Sequence, residues 1–304
     1  MKSAPVRAST VTYFDVQRRS GRILVATFTM RASRVLVLAG FGSLAIGLAL
    51  PLRAQLPLAT PRASGQSVTP AYEGWYRNAD GTFSLSFGYL NRNAEEVINV
   101  PIGPDNFIAP GRQNQGQPTE FQPRRHWGVF AVKVPADFGR QEVVWTLRVR
   151  GETFAIPGRL HPNWQIDALE GEAGAGNTPP FVRLGEAGLE ARGPLGHTFG
   201  PLEATTTAPF GLTVWAGDDG RPAAGRGGAM VSLAFFKHQG PGAVTFVPPT
   251  GRAAAAGAAV TTTAMFAAPG DYLLRVRAND GSGVANAGHA QCCWTNGFVR
   301  VTVR

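Results

Sequence analysis

The chain has 304 residues, enough for two domains, and only 16% of them are charged, against 38 glycines and 23 prolines. Its formal charge of +9 sits in the wrong place for nucleic-acid binding. Residues 1–54 hold eight Lys or Arg and a single acid, Asp15, so the remaining chain carries 21 basic and 19 acidic residues, without the clustered cations that phosphate contacts need.

The N-terminal 54 residues read as a leader. Met30-Arg31-Ala32-Ser33-Arg34 is a short basic segment, Val35 to Leu50 is an uncharged and mostly apolar run, and Pro51-Leu52-Arg53-Ala54 ends it before Gln55. That is the organisation of a cleaved signal peptide, starting at Met30 or at Met1. Uncleaved, the same run would act as a membrane anchor, although it falls short of the roughly 20 residues of a spanning helix. Residues 55–70 are rich in Pro, Ser, Ala and Thr and are expected to form a mobile tether.

A first domain is expected over residues 71–165. Thr82 to Leu90 alternates apolar and polar residues after a turn at Asn78-Ala79-Asp80-Gly81, and Glu96 to Val100 forms a short apolar run. His126 to Val134 and Gln141 to Val149 form two further strands, and Arg150-Gly151 turns tightly into Glu152 to Ile156. About seven short strands in this length predict an immunoglobulin- or fibronectin-like β-sandwich. Residues 166–176, made of Gly, Ala and acids, read as a flexible linker.

The second domain is expected over residues 177–304. Gly211 to Ala216 and Val231 to Phe236 are strands, Tyr272 to Ala278 alternates with one apolar face, and Phe298 to Arg304 repeats that pattern. Gly217–Gly228, Val247–Ala258 and Ser282–Gly297 read as long loops. Tyr272, just after Pro269-Gly270, suits a tyrosine corner, in which the hydroxyl ties a strand to a preceding turn.

Gly240-Pro241-Gly242, Phe266, Pro269-Gly270 and Tyr272 stand where the polycystic-kidney-disease (PKD) domain family carries its pattern, with Phe235 in place of the family's strand tryptophan. Residues 177–304 therefore resemble PKD domains, which implies an immunoglobulin-like sandwich of the kind found in secreted and cell-surface proteins. It implies no single ligand. The fold class expected for the whole chain is all-β, two tandem immunoglobulin-like β-sandwiches after a signal segment.

No Gly-x-Ser-x-Gly elbow, His-Glu-x-x-His or phosphate-cradling glycine motif occurs, so a non-enzyme without cofactor is expected. Two clusters carry possible chemistry. Asp218, Asp219 and Asp280 stand in Asp/Asn-Gly turns that would meet at one loop end and offer oxygens to Ca²⁺, although such residues more often serve the turn itself. Cys292 and Cys293 are the only cysteines. Adjacent residues lie about 3.8 Å apart at Cα, below the usual disulfide span, so a vicinal bridge would be strained. Free or oxidised thiols, an intermolecular bridge, and a soft-metal site with His289 are the competing readings. Trp294 beside the pair adds an aromatic platform for a ligand.

The function expected is that of an exported binding, adhesion or spacer protein of the periplasm, cell surface or exterior, its partner a protein or glycan and its membrane contact limited to an uncleaved leader. A carbohydrate-binding module using Trp294 and a redox or copper-handling protein using the vicinal cysteines are the alternatives.

Overall fold

Period-2 alternation becomes strand throughout the described residues, which in this computed structural model are 62–166, 177–220, 230–280 and 293–304. In the first half the strands are β1 (Val68–Arg77), β2 (Phe83–Asn91), β3 (Ile98–Asn99), β4 (Asn106–Ala109), β5 (Glu120–Phe121), β6 (Arg124–Val134), β7 (Val143–Val149) and β8 (Glu152–Gly158). One sheet runs β1-β2-β6 and the other β4-β7-β8, with β3 and β5 as a small two-stranded sheet between them in the chain. The first-half core gathers Leu85, Phe87, Phe130, Trp145 and Leu147, one alternate face from each sheet, with Trp145 fully buried and its indole N–H donating to Asn106 Oδ1 at 3.0 Å.

The second half contributes β9 (Phe181–Arg183), β10 (Glu190–Arg192), β11 (His197–Ala204), β12 (Phe210–Gly217), β13 (Met230–Gln239), β14 (Val244–Val247), β15 (Thr250–Ala254), β16 (Ala258–Phe266), β17 (Gly270–Asn279) and β18 (Trp294–Val303). They form two five-stranded sheets, β10-β9-β12-β16-β14 and β11-β18-β17-β13-β15. All pairings are antiparallel except β11 on β18. This strand order, with consecutive strands divided between the two sheets, is that of an immunoglobulin-like sandwich. The chain is all-β and holds two such sandwiches.

The tyrosine corner forms. The Tyr272 hydroxyl donates to the Ala268 carbonyl at 2.7 Å and accepts the Gly242 N–H at 3.0 Å. Gly240 has φ +145°, and a Cβ there would stand 2.2 Å from the Tyr272 ring, so the Gly-Pro-Gly turn is fitted around the aromatic. Phe235 fills the core between the sheets and stacks on Phe246 at 6.1 Å.

Three segments differ from expectation. The later part of the expected tether, from residue 62, is bonded to the first sandwich: β1 begins at Val68, Ala94 N–H donates to Arg62 O at 2.8 Å, and Asn93 Oδ1 accepts from Gln66 N–H at 2.7 Å. Polar composition there conceals backbone bonding that non-local residues complete. Within the expected loop Val247–Ala258, Thr250 to Ala254 instead close a sheet as β15, paired with β13. Trp294 to Gly297 belong to β18 rather than to a loop, in register with Asn279 to Val276 of β17. The expected linker lies, but for Ile166, outside the described residues.

The two sandwiches share one compact unit. Phe298 and Leu273 project from the outer face of β18 and β17 and pack into the first sandwich's core cluster. Gly128 of β6 has φ +51°, and a Cβ on it would stand 2.4 Å from the Trp294 indole, so this close approach of the halves requires glycine.

Replacing Tyr272 with Phe is expected to destabilise the protein by about 1–2 kcal/mol, since both hydrogen bonds of a buried hydroxyl are lost. Phe235→Ala should cost about 3–5 kcal/mol as a core truncation. Urea unfolding of the two variants beside the parent checks both values.

Candidate functional site

The sequence-nominated residues within the described region do meet at one end of the second sandwich. Asp218 and Asp219 follow β12, Asp280 follows β17, Cys293 precedes β18 and Trp294 opens it. Asn177 holds the group together: its Nδ2 donates to Asp280 Oδ2 at 2.8 Å and lies 3.9 Å from Cys293 Sγ. Asp280 N–H donates to Cys293 O at 3.0 Å, and Asp219 Oδ2 accepts from the backbone and hydroxyl of Thr178 at 3.0 and 2.8 Å. Burial, reinforced by the charges of Asp219 and Asp280, raises the Asp218 carboxyl above its ordinary range.

These carboxylates serve as turn and strand-end acceptors. Among the described residues no group of three or more His, Cys, Asp or Glu is arranged to hold a metal ion, so the Ca²⁺ reading of Asp218, Asp219 and Asp280 gains no support. Cys293 is buried and disulfide-bonded, and so presents no thiolate. His289 and Cys292 lie outside the described residues. Trp294 corrects an expectation: it is only 4% exposed, because it packs from the outer face of β18 against Gly128 of the first sandwich, and an exposed stacking platform is absent at this position.

A second polar constellation, which sequence reasoning missed, lies where the sandwiches meet. Cross-strand register sets out one face of the β13-β17-β18 sheet in rows: Phe236–Arg275–Phe298, then Ala234–Arg277–Asn296, then Ser232–Asn279–Trp294. The first sandwich covers the first row. Arg275 is 2% exposed, stacks 4.6 Å over Phe236 and donates to Val129 O at 3.3 Å. Burial and the neighbouring Arg277 lower its guanidinium to about 9. Asn296 Nδ2 donates to Gly128 O at 2.6 Å and to Pro194 O at 2.9 Å, joining three segments through one side chain.

A β-bulge between Lys237 and Gln239 interrupts the β13–β17 register, and this part of β13 meets the first sandwich. The Lys237 ammonium, with a side chain 3% exposed, reaches Glu120 Oε2 at 2.7 Å, Asn99 Oδ1 at 3.0 Å and Gly242 O at 3.0 Å. Its three protons are thereby satisfied, which suits a structural ion and leaves no free amine for nucleophilic work. His238 Nε2 lies 2.6 Å from Gly116 O, and Thr119 N–H donates to His238 O at 2.8 Å. On β1, Glu73 pairs with Arg125 at 2.6 Å and accepts the Gly128 N–H at 2.5 Å. Burial raises its carboxyl against the pull of Arg125. A groove of about 680 Å³ opens beside these contacts, lined by Asn99, Glu120, Lys237, Gln239 and Asp271 among others.

Both interface imidazoles are held neutral. Burial first, then the positive charge of Arg275, lowers His126 and His238 to about 3. The signal that could have revealed this face is the pair Phe236 and Phe298. Each falls on the outward register of its strand, where a solvated sheet would carry polar residues.

No protein-family model matches the chain, and no curated protein matches it. Among solved structures it is similar to the D00–D0 domain of intimin, at 10% identity over 78% of this chain and 100% of that one, with a TM-score of 0.25. The fibronectin(III)-like modules of Clostridium thermocellum CbhA give 12% identity over 78% and 94%, with a TM-score of 0.22. WR4, a C. elegans MSP family member, gives 9% identity over 34% and 92%, with a TM-score of 0.24. The immunoglobulin-like assignment rests on strand order.

A histidine neutral in the fold and titrating near 6.5 when unfolded leaves the unfolded chain with more bound protons between those values. Stability from His238 is therefore fully present above pH 6.5 and is lost as pH falls toward about 3. His238→Gln is expected to flatten the stability–pH curve across that window by about 1.4 kcal/mol per pH unit, the slope of one proton. Urea titrations of parent and variant at a series of pH values test this. Equal slopes would mean that His238 takes up its proton in the folded state.

Proposed function

We propose that this chain is an exported, non-catalytic binding or spacer protein of the cell envelope or exterior, working as a coupled pair of sandwiches. The observation that carries the reading is the shared face. Its ions, Lys237 with Glu120 across the junction and the half-buried Arg125 with Glu73 within the first sandwich, are engaged with one another and with backbone groups. Such a unit transmits position from one end to the other, as an adhesive or spacing element must. The PKD resemblance of residues 177–304 belongs to the same proposal, supported by the formed tyrosine corner. The leader composition of residues 1–54 motivates export.

With Trp294 buried, the carbohydrate-binding alternative keeps no platform at that position. The copper reading would need thiolates that disulfide-bonded Cys293 does not offer.

Two measurements test the proposal. Full-length protein carrying a C-terminal tag, expressed in a bacterial host and fractionated, should leave the cytoplasm with a mature N-terminus near Gln55. Retention in the cytoplasm with Met1 or Met30 intact would overturn export. For the coupled unit, Lys237→Met should destabilise by about 3–5 kcal/mol by stranding Glu120, whereas Lys237→Met with Glu120→Leu should recover most of the loss. If Lys237→Met melts like the parent, the shared face does not couple the sandwiches.

A further inference from the structure

The outward positions of β13 shrink along the strand, from Phe236 to Ala234 to Ser232, and this taper opens a cavity of about 200 Å³ beyond the covered part of the face. Ala234 lies between Thr250 of β15 and Arg277 of β17 in the cross-strand register, and Ser232 lies between Arg252 and Asn279. The cavity is lined by Ser232, Ala234, Thr250, Arg277, Asn279 and Asp280. Arg252, exposed, shares the outward face of Ser232 at its rim.

The polar groups of this cavity are unevenly satisfied. Asp280 already accepts from Asn177 Nδ2 at 2.8 Å. Arg277 stacks 5.6 Å from the Phe236 ring, yet among the described residues no carboxylate lies in ion-pair range of it and its buried Nε–H has no acceptor. Asn279 is 6% exposed, and its Nδ2 is also without an acceptor. A buried donor without an acceptor costs about 1–3 kcal/mol, and a desolvated guanidinium without a counter-charge costs more. Two adjacent orphan donors and an uncompensated cation beside an open space call for one kind of group, a planar oxyanion that accepts two parallel hydrogen bonds from an arginine edge.

We propose that this cavity binds the carboxylate of a small organic acid, with Arg277 as its principal ligand, Asn279 and the Thr250 hydroxyl as further donors, and Arg252 attracting the anion at the rim. The Ser232 hydroxyl is engaged with Asn279 O at 3.4 Å. The site adjoins the loop-end cluster, with which it shares Asp280, and does not depend on the binding-or-spacer reading. Asp280 opposes the anion and limits its affinity.

The test is an NMR titration of the full chain with glucuronate, with glucose as the uncharged counterpart and sulfate as a non-planar anion. Glucuronate should bind saturably, shift the backbone amides of Ser232 and Asn279, and weaken with added salt, while glucose should not bind. Sulfate binding as tightly as glucuronate would overturn the planar-carboxylate assignment. Arg277→Gln should reduce glucuronate affinity about tenfold or more, and Asp280→Asn, which removes the repulsion, should raise it. Should Arg277→Gln fail to fold, Arg252→Gln is the substitute, with a loss of a few-fold expected from a more exposed charge. Absence of saturable glucuronate binding, or affinity unchanged in the arginine variant and in Asp280→Asn, would overturn the proposal.

Discussion

A second sandwich standing alone would present Phe236, Phe298, Leu273 and Arg275 to water on the outer face of β13, β17 and β18, and would bare Lys237 beside the β13 bulge. The apolar part of that face provides the drive to cover it, because each large side chain removed from water contributes about 1.5–3 kcal/mol. The ions on the same face determine how it can be covered. Desolvating Lys237 or Arg275 costs several kcal/mol each, so only a partner surface with acceptors in the right places can close over them. The first sandwich supplies Glu120 Oε2, Asn99 Oδ1 and Val129 O at those places.

This division between apolar drive and ionic placement accounts for the odd local features around the junction. Gly128 is a glycine because Trp294 occupies the space a Cβ would take. The bulge near His238 lets β13 meet the first sandwich through adjacent residues, Lys237 on Glu120 and His238 on Gly116. Glu73, whose carboxyl is raised by burial, stays bonded to Arg125 and to the Gly128 amide, which fixes the same segment of β6 that lies against Trp294. A buried ionic set of this kind contributes little net stability over a hydrophobic replacement; its clearer effect is to penalise every register but one.

Much of the fold was legible in the sequence because a strand with one buried face records it in a period of two. Thr82 to Leu90, His126 to Val134 and Tyr272 to Ala278 all became strands at or near their expected bounds. The corner at Tyr272 was legible as well, since Pro269-Gly270 fixes the turn before it. The short pieces β9 and β10 carry too few residues to show a period. The alanines of β15 carry too little side chain to separate strand from loop. Trp294 to Gly297 carry polar residues that look like the end of the loop Ser282–Gly297, but the side chains of Thr295 and Asn296 serve Pro180, Gly128 and Pro194. The nominated Asp218, Asp219 and Asp280 do gather at one end, since strands that exit a sandwich side by side must bring their turn residues together. What local sequence could not convey was the use of the outer face. Arg275 and Arg277 look alike there, as outward arginines two apart, and only the presence of the other sandwich makes one a buried interface ion.

That contrast between the two arginines follows from position on a single face. Both stand on the same strand, both approach the ring of Phe236, at 4.6 and 5.6 Å, and both have guanidinium groups lowered by burial. Arg275 falls under the first sandwich, where Val129 O accepts from it and Glu73 adds a favourable charge. Arg277 is one row further out, beside the small floor of Ala234 and Ser232, where among the described residues no carboxylate lies in ion-pair range. On β18 the cover continues through Asn296 and Trp294, which both meet Gly128, but over β17 and β13 the first sandwich offers Arg277 no acceptor like Val129 O. The sheet thus keeps a desolvated cation beside an open cavity.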